Sequence, residues 1–425
     1  MPTDIFQSLM EPLGPWAADR RVAVAVSGGA DSMCLALMAA RWGRPLALIV
    51  DHGLRPDSAS EAAATLATLA GIGVPGRVLT LRGLRPGAAR ARAARYRALE
   101  SACREAGLTD LLLGHHARDQ AETLLMRQMS HSGPTGLAAM PAVVESTHIR
   151  LVRPLLAVAP GTLRVLLRAA CVSWVEDPSN GNPAALRARI RLDLDDPEGD
   201  GTRTASLTAM VADYGARRAR ADTEIASVLA ERVVMRPEGF AVLSPGALPA
   251  AALGALIRMI GGRAYPAATP ALASLAAAPR PAVLSGVRLM QAGRLGPGWL
   301  LVREAAAIAR PMPAQPGAVW DGRFRMTDEG DIPEGATIGA LGGHAASLRR
   351  FSDLPSAVMQ TLPAFRVHGV LAAVPHIGYP DRQSCARMVF SPASTAAGAP
   401  FLASAWGMRT APTPPMLQDA AQAAM

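Results

Sequence analysis

The sequence predicts an α/β protein: a doubly wound parallel sheet with a helical linker and smaller C-terminal domains. Three observations predict it. Short apolar runs alternate with helical patterns through the first half of the chain, and alternation at this spacing makes βαβ units whose parallel sheet is covered on both faces. The residues able to do chemistry gather where those apolar runs end, at Ser27–Asp31, Asp51–His52 and Gly114–His116, the place where such folds bind ligands. An acidic, Gly-containing stretch, Asp193–Thr204, then closes the alternating region as a linker.

In chain order, Arg21–Val26 reads as the first strand, and a Gly-containing turn leads into a helix over Ser32–Arg41. Pro45–Val50 is the second strand, Ala59–Leu69 a helix and Arg77–Leu81 the third strand. Ala88–Glu105 reads as a long Arg-rich helix, Asp110–Leu113 as the fourth strand and Ala117–Gln128 as a helix. Pro160 opens a further helix running to about Cys171, which leads to the polar turn Glu176–Asn180 and the basic segment Arg187–Arg191. Ala205–Arg232 is helical and bridges to a second unit over Val242–Glu304, after which the Pro-rich Arg310–Pro316 reads as a linker to a third. The expected domains are 1–200, 205–305 and 317–395, with 396–425 an Ala- and Pro-rich flexible tail.

Composition narrows the class of partner. The chain has 425 residues, half of them apolar, which suits a globular protein with a sizeable core. It contains no lysine, so all 43 basic residues are arginine, and the net charge is +9. Arginine grips phosphate with a planar fork and stacks on bases, so the excess charge points to a polyanion, RNA first. Cys34, Cys103, Cys171 and Cys385 form no CxxC pair, which argues against a zinc site or a disulfide framework. Met1–Arg20 lacks a basic flank followed by an apolar run, and no apolar stretch reaches about 18 residues. No signal peptide, no membrane and a cytoplasmic location are therefore expected.

The strongest motif is Ser27-Gly28-Gly29-Ala30-Asp31-Ser32, directly after the first strand. Glycines let the backbone approach phosphate, free N–H groups at a helix start point at it, and the helix dipole favours negative charge. Ser27 and Ser32 add hydroxyls, and Asp31 can hold a Mg²⁺ that bridges phosphates. A bare Gly-Gly would also fit an ordinary βα turn, whereas the full string after a strand argues for the anion site. It lacks the GK[ST] of a Walker A loop. Asp119 and Glu122 stand three apart on the expected helix and share one face; they are candidates to bind an ammonium group, or else form a solvated acidic face partnered by Arg118. Arg92 and Arg95 share a face with room for phosphate. Arg187, Arg189 and Arg191 would face one way in an extended segment and fan out in a helix, and either arrangement could track RNA backbone or stay solvated. His52, His115 and His116 suit packing near a nucleotide better than a metal site.

The Ser27–Ser32 string is similar to the signature of the PP-loop, or N-type ATP pyrophosphatase, superfamily, whose fold is adenine nucleotide alpha hydrolase-like. Further strings resemble the lysidine synthetase family within it: Val50–Pro56, Ala91–Tyr96, Gly114–Thr123, Arg153-Pro154-Leu155-Leu156 and Asp177-Pro178-Ser179-Asn180, in that order. They cover about residues 20–191. Weaker likeness continues at Gly261–Pro266 and Val374–His376. The chain departs from the family pattern at Arg118, where the family has Asp, and at Asn182 and Ala188, where Asp and Asn are expected.

The resemblance implies an ATP-dependent carbon–nitrogen ligase. It would join free L-lysine to position 2 of the wobble cytidine in a CAU-anticodon isoleucine tRNA, through an adenylated cytidine, releasing AMP and pyrophosphate and changing the codon read from AUG to AUA. It implies ATP and Mg²⁺ as cofactors. Residues 1–200 would then be the catalytic domain, with tRNA recognition in 205–305 and 317–395. The expected catalytic residues are Asp31, Asp119, Glu122 and Arg92. Ser27, Gly28, Gly29, Ala30, Asp31, Ser32, Asp51, His52 and His115 are expected at the nucleotide, Asp31 at the Mg²⁺, and Arg187, Arg189 and Arg191 at the tRNA. Charge adds Arg258, Arg263 and Arg288 as candidates for telling this tRNA from a methionine tRNA with the same anticodon. The sequence leaves open a monomer or a homodimer. The alternatives are a tRNA 2-thiolation enzyme of the same superfamily, a small-molecule ligase, and a tRNA-binding protein without activity.

Overall fold

The computed structural model describes residues 2–53, 57–82, 87–146, 148–176, 186–265, 270–327, 333–380, 387–392, 394–398 and 401–402. The chain divides into two compact units, residues 1–220 with 400–425, and residues 221–399.

The first unit is built on a six-stranded sheet. Its strands are β1 (Arg21–Val26), β2 (Arg44–Asp51), β3 (Gly76–Thr80), β4 (Asp110–Leu113), β5 (Val143–Glu145) and β6 (Arg150–Val152), in the order β3-β2-β1-β4-β6-β5. All neighbours pair in parallel except β5, which runs antiparallel to β6 at the edge. Helices α1 (Pro2–Met10), α2 (Ala30–Trp42), α3 (Ser58–Gly71), α4 (Ala88–Glu105), α5 (Ala117–Met129), α6 (Pro134–Leu137), α7 (Pro160–Ala169) and α8 (Leu186–Leu194) accompany it.

The two-residue period of the strands explains why both faces are covered. Val22, Val24 and Val26 of β1, Ala47 and Ile49 of β2 and Leu112 of β4 point into one core, against α1, α2, α3 and α7. Ala23, Leu48, Leu111 and Leu113, the alternate residues, point into a second core with Leu99, Ala102 and Cys103 of α4. A side chain such as Leu48 or Leu112, each fully buried, contributes about 1.5–3 kcal/mol by leaving water. Helix α2 is buried without a break from Ser32 to Ala39, as expected of a helix that is apolar all round. The switch in strand order between β1 and β4 leaves a crevice at their carboxyl ends.

Helix α9 (Thr202–Arg232) is 31 residues long and starts in the first unit. In the second unit β7 (Val233–Arg236), β8 (Phe240–Leu243), β9 (Ala282–Leu284), β10 (Val287–Gln291) and β11 (Trp299–Arg303) form an antiparallel sheet ordered β7-β8-β11-β10-β9, with α10 (Ala250–Ile260) and α11 (Pro270–Ala277). Two smaller sheets follow: β12 (Met312–Pro313), β15 (Ala336–Ala340), β16 (Pro363–Val367) and β17 (Val370–Ala373) make one, and β13 (Val319–Trp320), β14 (Phe324–Met326) and β18 (Met388–Phe390) the other. A short α12 (Ser356–Met359) lies between. The stretch Arg310–Pro316, read from sequence as a linker, instead carries β12, which pairs with β15. Proline is tolerated there because β12 is an edge strand. Asp321, buried, receives Arg303 at 3.0 Å and Arg323 at 2.7 Å. These two guanidiniums, and the Ala309 amide at 2.9 Å, outweigh the upward push of burial and hold the Asp321 carboxyl below its ordinary range.

Candidate active site

The Gly-rich turn joins β1 to α2. Ser32 Oγ accepts the Ser27 amide at 3.1 Å and donates to the Gly29 carbonyl at 3.0 Å, which closes the turn on itself. Gly29 caps α2 without any side-chain acceptor, so the first amides of the helix are free to face an anion. Gly28 has φ +86, and a Cβ there would stand 2.7 Å from Thr65 Oγ1, so both backbone conformation and space require glycine. The Val175 amide donates to the Gly28 carbonyl at 2.9 Å and straps the turn from above. At the end of β4, a Cβ on Gly114 would lie 3.1 Å from the backbone of Asp31 and Ser32. That close approach brings the start of α5 beside the turn.

Helix α5 begins with His116 as its N-cap. The Asp119 amide donates to His116 Nδ1 at 3.4 Å and the His116 amide donates to Asp119 Oδ2 at 3.1 Å, a reciprocal capping box built from His and Asp. With Nδ1 accepting, the ring proton sits on Nε2, 3.5 Å from Asp31 Oδ2 and 3.6 Å from Asp119 Oδ2. Burial alone would lower the His116 pKa; the Asp119 and Asp31 carboxylates outweigh it and the net shift is upward. Burial likewise pushes the Asp119 carboxyl up, and His116 followed by Arg187 more than reverses it.

Glu122, one turn further along α5, is 0% exposed. Helix α8 closes over it. Arg191 Nε donates to Glu122 Oε1 at 2.7 Å, and Arg191 Nη2 reaches Asp119 Oδ1 at 3.4 Å. Arg187 Nε lies 2.7 Å from Glu122 Oε2, yet both atoms lack an aligned hydrogen bond, so this contact is an ion pair off the bonding direction. Arg118 Nε is 3.7 Å from Glu122 Oε1, and Arg118 Nη2 donates to the Arg191 carbonyl at 3.1 Å. The basic segment is therefore helical, with Arg187 and Arg191 one turn apart and facing inward while Arg189 is exposed on another face.

A cleft of about 710 Å³ runs between these parts. It brings together Ser27, Gly29, Asp31, Ser32, Asp51, His52, His115, Asp119 and Arg191. Gly28 and Ala30 belong to the turn at its edge. Glu122, Arg187 and Arg189 do not line it, and neither does Arg92, which is exposed and donates to Tyr96 Oη at 3.3 Å with its guanidinium over the ring. Asp51 accepts the Gly53 amide at 2.9 Å. Burial lowers the His115 pKa to about 4, so this imidazole is neutral near pH 7; burial and Arg95 lower His52 as well. Asp31 Oδ1 is buried with no hydrogen-bond partner, an orphaned hard oxygen beside the anion turn that suits a divalent cation.

Sequence reasoning missed His116 as the link between Asp31 and Asp119. Its place three residues before Asp119, at the helix start, was the available signal. Arg95 and Tyr96 also line the cleft, and the string Ala91–Tyr96 could have assigned them there. Thr65 and Val175 carry no local signal, since their role depends on chain segments far from the turn. The Asp177–Asn180 turn, Leu54–Pro56, Asn182 and Cys385 lie outside the described residues. Of the arginines expected to contact tRNA in the second unit, Arg258 donates to the Thr395 carbonyl, Arg263 to the Ser285 carbonyl, and Arg288 pairs with Glu304.

Residues 2–196 match the family profile of the PP-loop domain. A tRNA(Ile)-lysidine synthase of a Bradyrhizobium species (strain BTAi1) is 40% identical over 228 residues, covering 51% of this chain and 63% of that protein. This chain thus spans about three fifths of the length of the first relatives it matches. The enzyme of the same description from Hyphomonas neptunium is 37% identical over 64% of this chain and 77% of its own length. The one from Ruegeria pomeroyi is 34% identical over 392 residues, covering 84% of this chain and 89% of the relative. With two such relatives matched over most of their own length, the chain belongs to the tRNA(Ile)-lysidine synthase family.

Proposed function

We propose that this chain joins the ε-amine of L-lysine to position 2 of the wobble cytidine of a CAU-anticodon isoleucine tRNA, at the expense of ATP. The observation that carries this reading is the single cleft holding both an anion turn, Ser27–Ser32, and a buried carboxylate on a neighbouring helix, Asp119, linked through His116. Ligation of this kind needs a phosphate grip and an ammonium grip within reach of one carbon. The names of the relatives supply the substrates.

The amides of Gly28, Gly29 and Ala30 and the hydroxyls of Ser27 and Ser32 cradle the ATP phosphates. Asp31, through its unpartnered Oδ1, would hold Mg²⁺, which supplies charge neutralisation as pyrophosphate departs. Asp51, His52 and the neutral His115 shape the nucleotide pocket, and Arg95 on its wall is placed to receive the α-phosphoryl group, with the exposed Arg92 one helical turn before it. The cytidine carbonyl oxygen attacks the α-phosphorus and the bond to the β-phosphate breaks. The lysine amine then attacks C2 and the oxygen leaves with AMP. A free ε-amine has a pKa of about 10.4, so its neutral form costs roughly 4–5 kcal/mol at pH 7. Asp119, with Glu122 behind it, binds the ammonium group and takes its proton as attack proceeds. Arg189, exposed on α8, is placed to meet RNA phosphate, whereas Arg187 and Arg191 face inward onto Asp119 and Glu122. The 2-thiolation alternative calls for reactive cysteines. Among the described cysteines, Cys34 and Cys103 are buried and burial raises both thiols to about 12, while the exposed Cys171 does not line the cleft.

The test incubates purified protein with ATP, Mg²⁺, labelled lysine and the CAU-anticodon tRNA. Pyrophosphate release that requires the tRNA, with label entering RNA, is the expected result. Pyrophosphate release without lysine entering RNA sinks the choice of nucleophile.

A further inference from the structure

The carboxylates read as the ammonium grip are already occupied by cations from the chain itself. Asp119 and Glu122 bring two negative charges, and Arg118, Arg187 and Arg191 bring three positive ones to within 4 Å of them. Glu122 is fully buried, and each of its oxygens has a guanidinium nitrogen at 2.7 Å. An arriving ammonium group finds no open face on Glu122 and adds charge to a cluster that is already over-neutralised, which a low-dielectric site resists.

The three arginines are not equivalent. Arg191 donates in line to Glu122 and also reaches Asp119. Its own carbonyl is held by Arg118. Arg187 is held less firmly to the carboxylates than Arg191 is: its Nε sits close to Glu122 Oε2 without bonding alignment, its Nη2 is 3.9 Å from Asp119 and donates to the neutral Thr123 Oγ1 at 3.2 Å, and its side chain, 38% exposed, is the most exposed of the three. It can turn outward about its own long stem without α8 leaving α5. A guanidinium released this way needs another anion, and it would emerge on the helix that carries the exposed Arg189.

We propose that Arg187 is a displaceable occupant of the ammonium site: it exchanges Glu122 for an RNA phosphate, so lysine is admitted to Glu122 once tRNA is bound. This rests on the reading of Asp119 and Glu122 as the lysine grip. It orders the two substrates by charge exchange, and it keeps the cleft closed to stray amines while no RNA is present.

Equilibrium dialysis of labelled L-lysine against the full chain tests it, with the α,β-methylene analogue of ATP to block turnover, and with or without CAU-anticodon tRNA. The expected result is lysine binding at least tenfold tighter with RNA in the wild type. Arg187→Gln should bind lysine without RNA nearly as tightly as with it, and Arg187→Lys, which restores a cation, should retain the difference. Equal binding by the wild type in both conditions, or an unchanged ratio in Arg187→Gln, overturns the exchange. Glu122→Gln separates this from the underlying reading. Loss of lysine binding there upholds the site, and binding that survives with RNA present overturns the site itself, whatever Arg187 does.

Discussion

Two carboxylates of the cleft differ in what they touch, and so in what their loss should do. Asp31 combines a buried, unpartnered oxygen with a contact to His116, whereas Asp119 is tied to the cap of α5 and to Arg191. Asp31→Asn is expected to lower pyrophosphate release by about 10²–10³, while Asp119→Asn should raise the KM for lysine more than it lowers pyrophosphate release; steady-state assays of both products distinguish the two. His115 gives a pH signature. Its folded pKa of about 4 lies below the ordinary 6.5, so between those values the unfolded chain binds the proton and the folded chain does not. Stability should therefore fall as pH drops from about 6.5 to 4, by at most roughly 3 kcal/mol. His115→Asn should flatten that part of a plot of Tm against pH, and an unchanged slope would refute the burial argument. The sequence made Asp119 and Glu122 visible as a pair on one face, because three-residue spacing is local. It could not show that Arg191 would meet Glu122 across 69 positions, since a pairing of that range depends on how α5 and α8 pack.

At the level of elements, the turn between β1 and α2 is the most constrained piece. Gly28→Ala meets both the left-handed backbone and Thr65, costing roughly 1–2 kcal/mol in conformation alone. Adding Thr65→Ala removes the contact and leaves the backbone strain, so the double variant should recover only part of the lost pyrophosphate release. Full recovery would mean that space, and not conformation, selects glycine here. Elements bounded by sharp punctuation were legible from sequence: β1, α4 and β4 run over the residues expected of them. Helix α1 and the pair β5 and β6 were not read as elements. Strands of three residues carry too little alternation to signal themselves, and β12 hid inside a Pro-rich stretch because an edge strand needs few donors.

For the whole molecule, the first unit carries the cleft and the second carries its own cores and a buried charge cluster. Asp321 neutralises Arg303 and Arg323 there. Asp321→Asn should destabilise the second unit by about 3–5 kcal/mol, lowering a thermal transition of the full chain. Because the Asp321 carboxyl is held below its ordinary range, its contribution is present above about pH 4 and is lost as pH falls through the folded value. The proposed reaction sets the central experiment, since it requires one cleft to activate RNA and then to exchange AMP for an amine. The direct measurement follows the α-phosphate of labelled ATP in the presence of CAU-anticodon tRNA, first without lysine and then after its addition. Label should join the RNA while lysine is withheld and leave it as AMP when lysine is supplied. Label that never reaches the RNA, or that stays there after lysine is added, would contradict that reaction.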